Sequence, residues 1–111
     1  MSQAYVQALL KGTVEPLLLS VIAEFPVHGY QLIKDLERRS QGYFKFKAST
    51  VYSALRRLEK SGLVLSSWQQ IAQKQRRRCY MLTDKGRQIL DSKLGEWQDF
   101  YAAVSRIVNI R

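Results

Sequence analysis

The sequence predicts a mainly α fold with a small β-hairpin, an α+β arrangement, from three observations. Residues 48–62 carry the start, the amphipathic pattern and the stop of a short helix, and another helix precedes it across a turn. Two segments, 63–68 and 78–82, flank a polar and basic stretch and read as an antiparallel hairpin. From Asp84 onward apolar residues recur at heptad spacing. A helix, a turn, a helix and a hairpin in that order make a winged helix-turn-helix. The last segment adds a long C-terminal helix suited to dimerisation. Residues 1–83 and 84–111 are expected as the two parts of one compact unit.

Taken in order, Ser2–Leu10 sets Tyr5, Val6, Leu9 and Leu10 at roughly helical spacing. It reads as a short helix over 3–11, or an arm, that packs on a partner through residues such as Leu9. Lys11-Gly12-Thr13 is a break followed by a new N-cap. Pro16 falls in the first turn, where a missing N–H is tolerated. Leu17, Leu18, Leu19, Val21, Ile22 and Phe25 are apolar almost all round, as in a central buried helix, and Pro26 is expected to close it.

His28-Gly29-Tyr30 opens the next helix, which runs to about Ser40 with Leu32, Ile33 and Leu36 inward. Gln41-Gly42 is a turn. Tyr43–Lys47 is a bridge with two aromatics packed and two lysines exposed. In the helix over 48–62, Ser49 or Thr50 is the expected N-cap and Gly62 the left-handed stop. Val51, Leu55 and Leu58 mark its buried face, while Ser49, Ser53, Arg56, Arg57 and Lys60, with Tyr52 at the edge, form the other. Hydroxyls and guanidinium groups on a short helix suit base edges and phosphates in a major groove.

Leu63–Trp68 and Arg78–Leu82 are the expected strands, with 69–77 as the connecting loop. Lys74, Arg76, Arg77 and Arg78 gather near its tip. Thr83 is the expected N-cap of the last helix, with Asp84 favourable at its positive end. Along that helix Leu90, Leu94, Trp97, Tyr101, Val104 and Val108 are spaced 4, 3, 4, 3, 4, widened by Ile89, Phe100 and Ile107. The distal part of this stripe has nothing left in the chain to cover it, so a homodimer is expected.

The charge fits the same picture. Lys and Arg number 18 against 9 Asp and Glu, a formal net charge of +9 on 111 residues. So basic a small domain suits a polyanionic partner, nucleic acid first and an anionic membrane second. One cysteine, Cys79, excludes an intrachain disulfide and fits a reducing cytoplasm. One Cys and one His fall short of a zinc ligand set, and no cofactor motif stands out. No apolar run reaches the roughly 20 residues that span a bilayer. Residues 1–11 lack the basic start and long apolar centre of a signal peptide. An enzyme is disfavoured, because no carboxylate pair, phosphate-binding Gly-rich loop or Cys–His arrangement is visible. Membrane attachment would need the cations and the apolar stripe on one exposed helix, and here they are apart. The alternative in the binding class is a winged helix that contacts only proteins.

Several stretches resemble the PadR-like transcriptional regulators. They are Leu10–Thr13, His28–Ile33, Ser49–Leu63, Arg76–Gly86 and Glu96-Trp97, in the order that the family has them. The resemblance implies a winged-helix dimer on a palindromic double-stranded operator, usually a repressor, with one C-terminal helix for dimerisation. It implies that Tyr30 lies near the DNA backbone, that Thr50 and Tyr52 are the family's recognition-helix pair, and that Arg76, Arg77 and Arg78 are its wing arginines. Ser49, Thr50, Ser53 and Arg56 would then meet bases or nearby phosphates. Tyr30, Lys47, Tyr52 and the wing cations Lys74, Arg76, Arg77 and Arg78 would position the protein by phosphate, and Arg57 is expected among the DNA contacts. Two-fold symmetry sets half-sites roughly 34 Å apart, or a multiple of it. In members that bind drugs, a tryptophan on the last helix stacks on a small aromatic ligand. Trp97 matches that position, with interface packing as its other role. The chain departs from the family at the wing tip, where Ile71–Gln75 has no glycine.

Overall fold

The computed structural model describes residues 12–108. Helix α1 (Val14–Ile22) leads through a two-residue strand β1 (Val27–His28) into helix α2 (Gly29–Arg39). Helix α3 (Ala48–Lys60), strands β2 (Val64–Ala72) and β3 (Gln75–Leu82), and helix α4 (Asp84–Val108) follow. The strands form one antiparallel sheet in the order β1-β3-β2. This is the expected α+β winged helix-turn-helix with its long last helix. The expected helix over 3–11, Leu9 with it, and the last three residues lie outside the described residues. Among the described residues no helix is long and apolar enough to cross a membrane.

Helix α1 is the centre. Gly12, at φ +81°, turns the chain into it, and Leu18, Leu19, Val21 and Ile22 are each at most 3 % exposed. It packs on α2, α3, α4 and β3. It ends earlier than Pro26 would enforce. The Glu24 N–H bonds back to the Val21 carbonyl at 3.1 Å, a tightened final turn that stops the helix after Ile22. Phe25 therefore lies past the helix and is 55 % exposed rather than buried. Strand β1 then pairs Val27 with Tyr80 and His28 with Cys79. Two residues are too few to show an alternation, so the sequence gives no sign of this strand.

Helix α3 is held by its apolar back. Val51, Ala54 and Leu55 are fully buried and Leu58 nearly so, and each such Leu or Val contributes roughly 1.5–3 kcal/mol. The rim ion pair from Arg57 Nε to Glu15 Oε1 on α1, at 2.8 Å and solvent-exposed, adds at most about 1 kcal/mol. The N-cap position is Lys47, neither Ser49 nor Thr50. The Val51 N–H already bonds to the Lys47 carbonyl at 3.1 Å, so both hydroxyls sit inside the first turn, exposed. The stop is as expected. Gly62 sits at φ +79°, its N–H reaches the Glu59 carbonyl, and Leu63 N–H reaches that of Leu58, a Schellman ending.

The hairpin is longer than expected. Residues 69–72 and 75–77 continue the ladder, and only Gln73-Lys74 form the turn. Without a glycine, Lys74 takes φ +64°. Ile71 is the extra residue in the pairing between Gln70↔Arg76 and Ala72↔Gln75, a bulge that twists the tip.

Thr83 caps α4 by accepting the Gly86 N–H at 2.9 Å. The same hydroxyl faces the Gly62 and Leu63 carbonyls at 2.7 and 3.0 Å, and Lys85 Nζ donates to the Ser61 carbonyl at 3.0 Å. Gly86 is packed so closely that a Cβ would lie 2.1 Å from the Leu63 carbonyl oxygen and 2.8 Å from Leu82 Cδ1. Leu90, expected on the dimer seam, is instead 2 % exposed in the chain's own core, and Leu94 packs against that core. The first turns of α4 face α1, which removes them from the seam. Trp97 and Val104 are half-buried, whereas Phe100, Tyr101, Ile107 and Val108 are 56–83 % exposed.

Two measurements check this packing. Gly86→Ala must move a backbone carbonyl, so it should lower the unfolding free energy by about 1–3 kcal/mol in urea denaturation. Cys79 is 3 % exposed beneath the β1–β3 pairing, and burial pushes its thiol pKa up. The neutral thiol is a poor nucleophile, so iodoacetamide should leave the native protein unlabelled at neutral pH and label it fully in denaturant.

Candidate nucleic-acid interface

The start of α2, the exposed side of α3 and the hairpin enclose an open cleft of about 700 Å³. From α2 and its N-cap come His28, Gly29 and Tyr30; from α3, Tyr52, Arg56 and Glu59; from the hairpin, Trp68, Arg76, Arg77, Arg78 and Tyr80. The sheet register explains the last set apart from Arg77, which lies opposite Gln69. Ser66 lies opposite Tyr80, Trp68 opposite Arg78 and Gln70 opposite Arg76, and alternation puts these pairs on one face.

Gly29 and Tyr52 explain each other. A Cβ at Gly29 would lie 2.6 Å from Tyr52 Cε1 and 3.1 Å from its hydroxyl oxygen. The Tyr52 ring thus rests on the backbone that starts α2, and glycine is what lets it in. The neighbouring Tyr30 is half exposed. Its ring carries the Lys34 ammonium at 4.8 Å and the Arg77 guanidinium at 5.9 Å, both within cation–π range. Tyr30 lies two residues past His28, where the β1–β3 pairing ends against Cys79, and so stays close to β3.

Across the cleft, Arg78 Nε donates to Ser66 Oγ at 2.7 Å, and Ser66 Oγ donates to Glu59 Oε2 at 2.6 Å. Arg78 Nη2 lies 3.5 Å from the same carboxylate oxygen. The Trp68 ring has Arg76 at 5.8 Å and Arg78 at 5.7 Å. Burial pushes the Tyr80 phenol above its usual range, with Glu59 adding to the rise and Arg78 opposing it, so it is a neutral group in the cleft wall. His28 occupies the N-cap position of α2 without capping it, and its Nε2 is buried with no hydrogen-bond partner among the described residues.

Of the residues singled out as DNA contacts, the fold gathers Tyr30, Tyr52, Arg56, Arg76, Arg77 and Arg78 around this cleft. Lys47, Ser49, Thr50 and Ser53 are exposed at and beyond the first turn of α3, outside its lining. Lys74 is at the hairpin tip. Arg57 points elsewhere, paired with Glu15 on α1. Trp68, Glu59, Ser66 and Tyr80 escape sequence reading as part of the site. The alternation that aligns Trp68 with the arginines extends into residues read as loop. Chemically, the cleft offers planar cations that bind phosphate oxygens in pairs, aromatic faces, and one carboxylate that is already engaged.

The model of the transcriptional regulator PadR-like family matches residues 18–92. A transcriptional regulator from Clostridium thermocellum is 28% identical over 91% of this chain and 98% of its own, with a TM-score of 0.82. A PadR family transcriptional regulator from Eggerthella lenta is 30% identical over 97% of this chain and 92% of its own, with a TM-score of 0.79. Bacillus subtilis PadR in complex with operator DNA shares the fold at 22% identity, with a TM-score of 0.69 over 74% of this chain and 47% of that one. Tyr52 seated on Gly29, the arginine-lined hairpin beside α3, and a family match that runs from α1 into α4 lead to one assignment: the chain belongs to the PadR-like family of transcriptional regulators.

Proposed function

We propose that this chain acts as a homodimeric, sequence-specific DNA-binding repressor. The observation that carries the reading is the convergence of the exposed side of α3 with Arg76 and Arg77 on one surface. In this reading α3 enters the major groove. Ser49, Thr50, Ser53 and Arg56 meet base edges or nearby phosphates. Tyr30, Lys47, Tyr52, Lys74, Arg76 and Arg77 hold the phosphate backbone. Arg57 is left as a brace to α1 by its pairing with Glu15. The complex of Bacillus subtilis PadR with operator DNA, a protein of the same fold, supports a duplex as the partner.

The second subunit covers the distal stripe of α4. Trp97, Tyr101, Val104 and Val108, with Phe100 and Ile107 beside them, form its half of the interface, and two such halves related by two-fold symmetry present two α3 helices to a palindrome. A small aromatic effector that stacks on Trp97 releases the operator if it binds the DNA-free dimer better than the DNA-bound one. The cytoplasm is the compartment that this role requires.

The first experiment is an anisotropy titration with the duplex upstream of the protein's own gene and with a scrambled duplex, each at two salt concentrations. Tight, salt-dependent preference for the native duplex is expected. Arg77→Ala should weaken both duplexes equally and reduce the salt slope by about 0.9, one phosphate contact. A loss confined to the native duplex would make Arg77 a base reader, and no binding to either at low salt would favour a protein-interaction module. For the dimer, sedimentation velocity should give twice the chain mass for wild type and the chain mass for Tyr101→Asp, a variant at a position 58 % exposed in the single chain. A wild-type monomer at micromolar concentration would end that part of the reading.

A further inference from the structure

The geometry assigns Arg78 a role different from that of Arg76 and Arg77: with Glu59 and Ser66 it is a strut that sets the angle of the hairpin on the recognition helix, and it does not hold phosphate. The assignment rests on the DNA-binding reading and deepens it. Glu59 belongs to α3, Ser66 to β2 and Arg78 to β3, and the three meet at one carboxylate oxygen. Ser66 Oγ is 2.6 Å from Glu59 Oε2, Arg78 Nε is 2.7 Å from Ser66 Oγ, and Arg78 Nη2 is 3.5 Å from Glu59 Oε2. The Ser66 hydroxyl accepts a hydrogen bond from the guanidinium and donates one to the carboxylate, so its donor and an acceptor site are both in use. Among the described residues Glu59 is the sole carboxylate lining the cleft.

A carboxylate on a phosphate-binding surface opposes binding unless it is neutralised or does other work. Here its charge is matched by one guanidinium, whose fork is turned toward Glu59 and Ser66 and stacked near Trp68. Arg76 and Arg77 have no such acceptor among the described residues, and their guanidinium groups lie over aromatic faces. Their donors stay available to phosphate. The three arginines are consecutive, yet the fold divides their labour. The side chains of Glu59 and Arg78 are 33% and 44% exposed, and pairs so exposed add little to stability. What the strut supplies is orientation: the hairpin from the Trp68–Arg78 pair outward is exposed on both faces, and this link ties its base to α3.

The test uses full-length Glu59→Gln, Ser66→Ala, Arg78→Lys, Arg78→Ala and Arg77→Ala in the duplex titration over a salt series. Simple charge removal predicts that Glu59→Gln tightens binding. The strut predicts that it weakens binding about tenfold, as Arg78→Ala does, with a variant carrying both Glu59→Gln and Arg78→Ala no weaker than either single one, the coupling of residues that act through each other. Arg78→Lys keeps the charge but not the fork and should also lose affinity. The salt slope should fall for Arg77→Ala and stay at the wild-type value for the Glu59, Ser66 and Arg78 variants. Tighter binding by Glu59→Gln, wild-type binding by Arg78→Lys, or a slope reduced by Arg78→Ala would each overturn the proposal.

Hydrogen exchange without DNA gives an independent reading. Amides of β2 and β3 should exchange faster in Glu59→Gln and Ser66→Ala and at the wild-type rate in Arg77→Ala, and unchanged exchange in all of them would also overturn the strut. If wild type binds no duplex while the exchange result holds, the regulator reading fails and the strut stands as a feature of the fold.

Discussion

The contact between Gly86 and the Leu63 carbonyl is the constraint on which the other parts depend. It brings the first turn of α4 against the turn that ends α3 at van der Waals distance, with Thr83 and Lys85 binding the carbonyls of Ser61, Gly62 and Leu63. Of these, the carbonyl of Ser61, the C-cap of α3, is one that a helix leaves unsatisfied at its end. The end of one helix is thus finished by the start of another, twenty-odd residues later in the chain. The hairpin is the excursion between these two points, so its base is clamped before its strands extend into solvent.

From this junction the two working surfaces diverge. Helix α3 runs back toward the cleft, with its apolar side on α1, while α4 leaves the core after Leu94. The forces differ in kind. Buried Leu and Val side chains hold the helices together at a few kcal/mol each. Three charged contacts, Glu15 with Arg57, Glu24 with Arg39 and Glu59 with Arg78, are exposed or partly exposed. They contribute orientation more than stability. The hydrogen bonds from Arg39 hold the Glu24 carboxyl below the usual range. That contribution is present above the ordinary carboxylate pKa and fades as pH falls through the lowered one.

How much of this was legible in the sequence depends on the range of the interaction. The buried faces of α1 and α3 follow from 3.6-residue periodicity, the end of α3 from Gly62, and the start of α4 from Thr83, all local effects. Three features were not legible. Strand β1 is too short to show a period. The hairpin's outer half is mostly polar and shows no apolar–polar alternation, so Gln69–Ala72 and Gln75–Arg77 look like loop until pairing aligns them. Leu90 fits a heptad seam and an intramolecular core equally well by spacing, and only the position of α1 decides. At the site, residue type pointed to Arg56, Arg76 and Arg77. The diversion of Arg57 to Glu15 and of Arg78 to Ser66 and Glu59 depends on partners 42 and 12 to 19 residues away.

Helix α4 starts as part of the core and ends as surface, and this has a consequence for how such a chain can change. Insertion or loss of a turn past Leu94 adds or removes about 5.4 Å of helix without disturbing Gly86, Thr83 or the apolar roof over α1. The same is not true of the proximal turns, where one added methyl group meets a backbone oxygen. The molecule therefore separates a segment with no tolerance from one with a great deal, on a single uninterrupted helix. Its reach and its choice of neighbour can drift while the architecture beneath stays fixed.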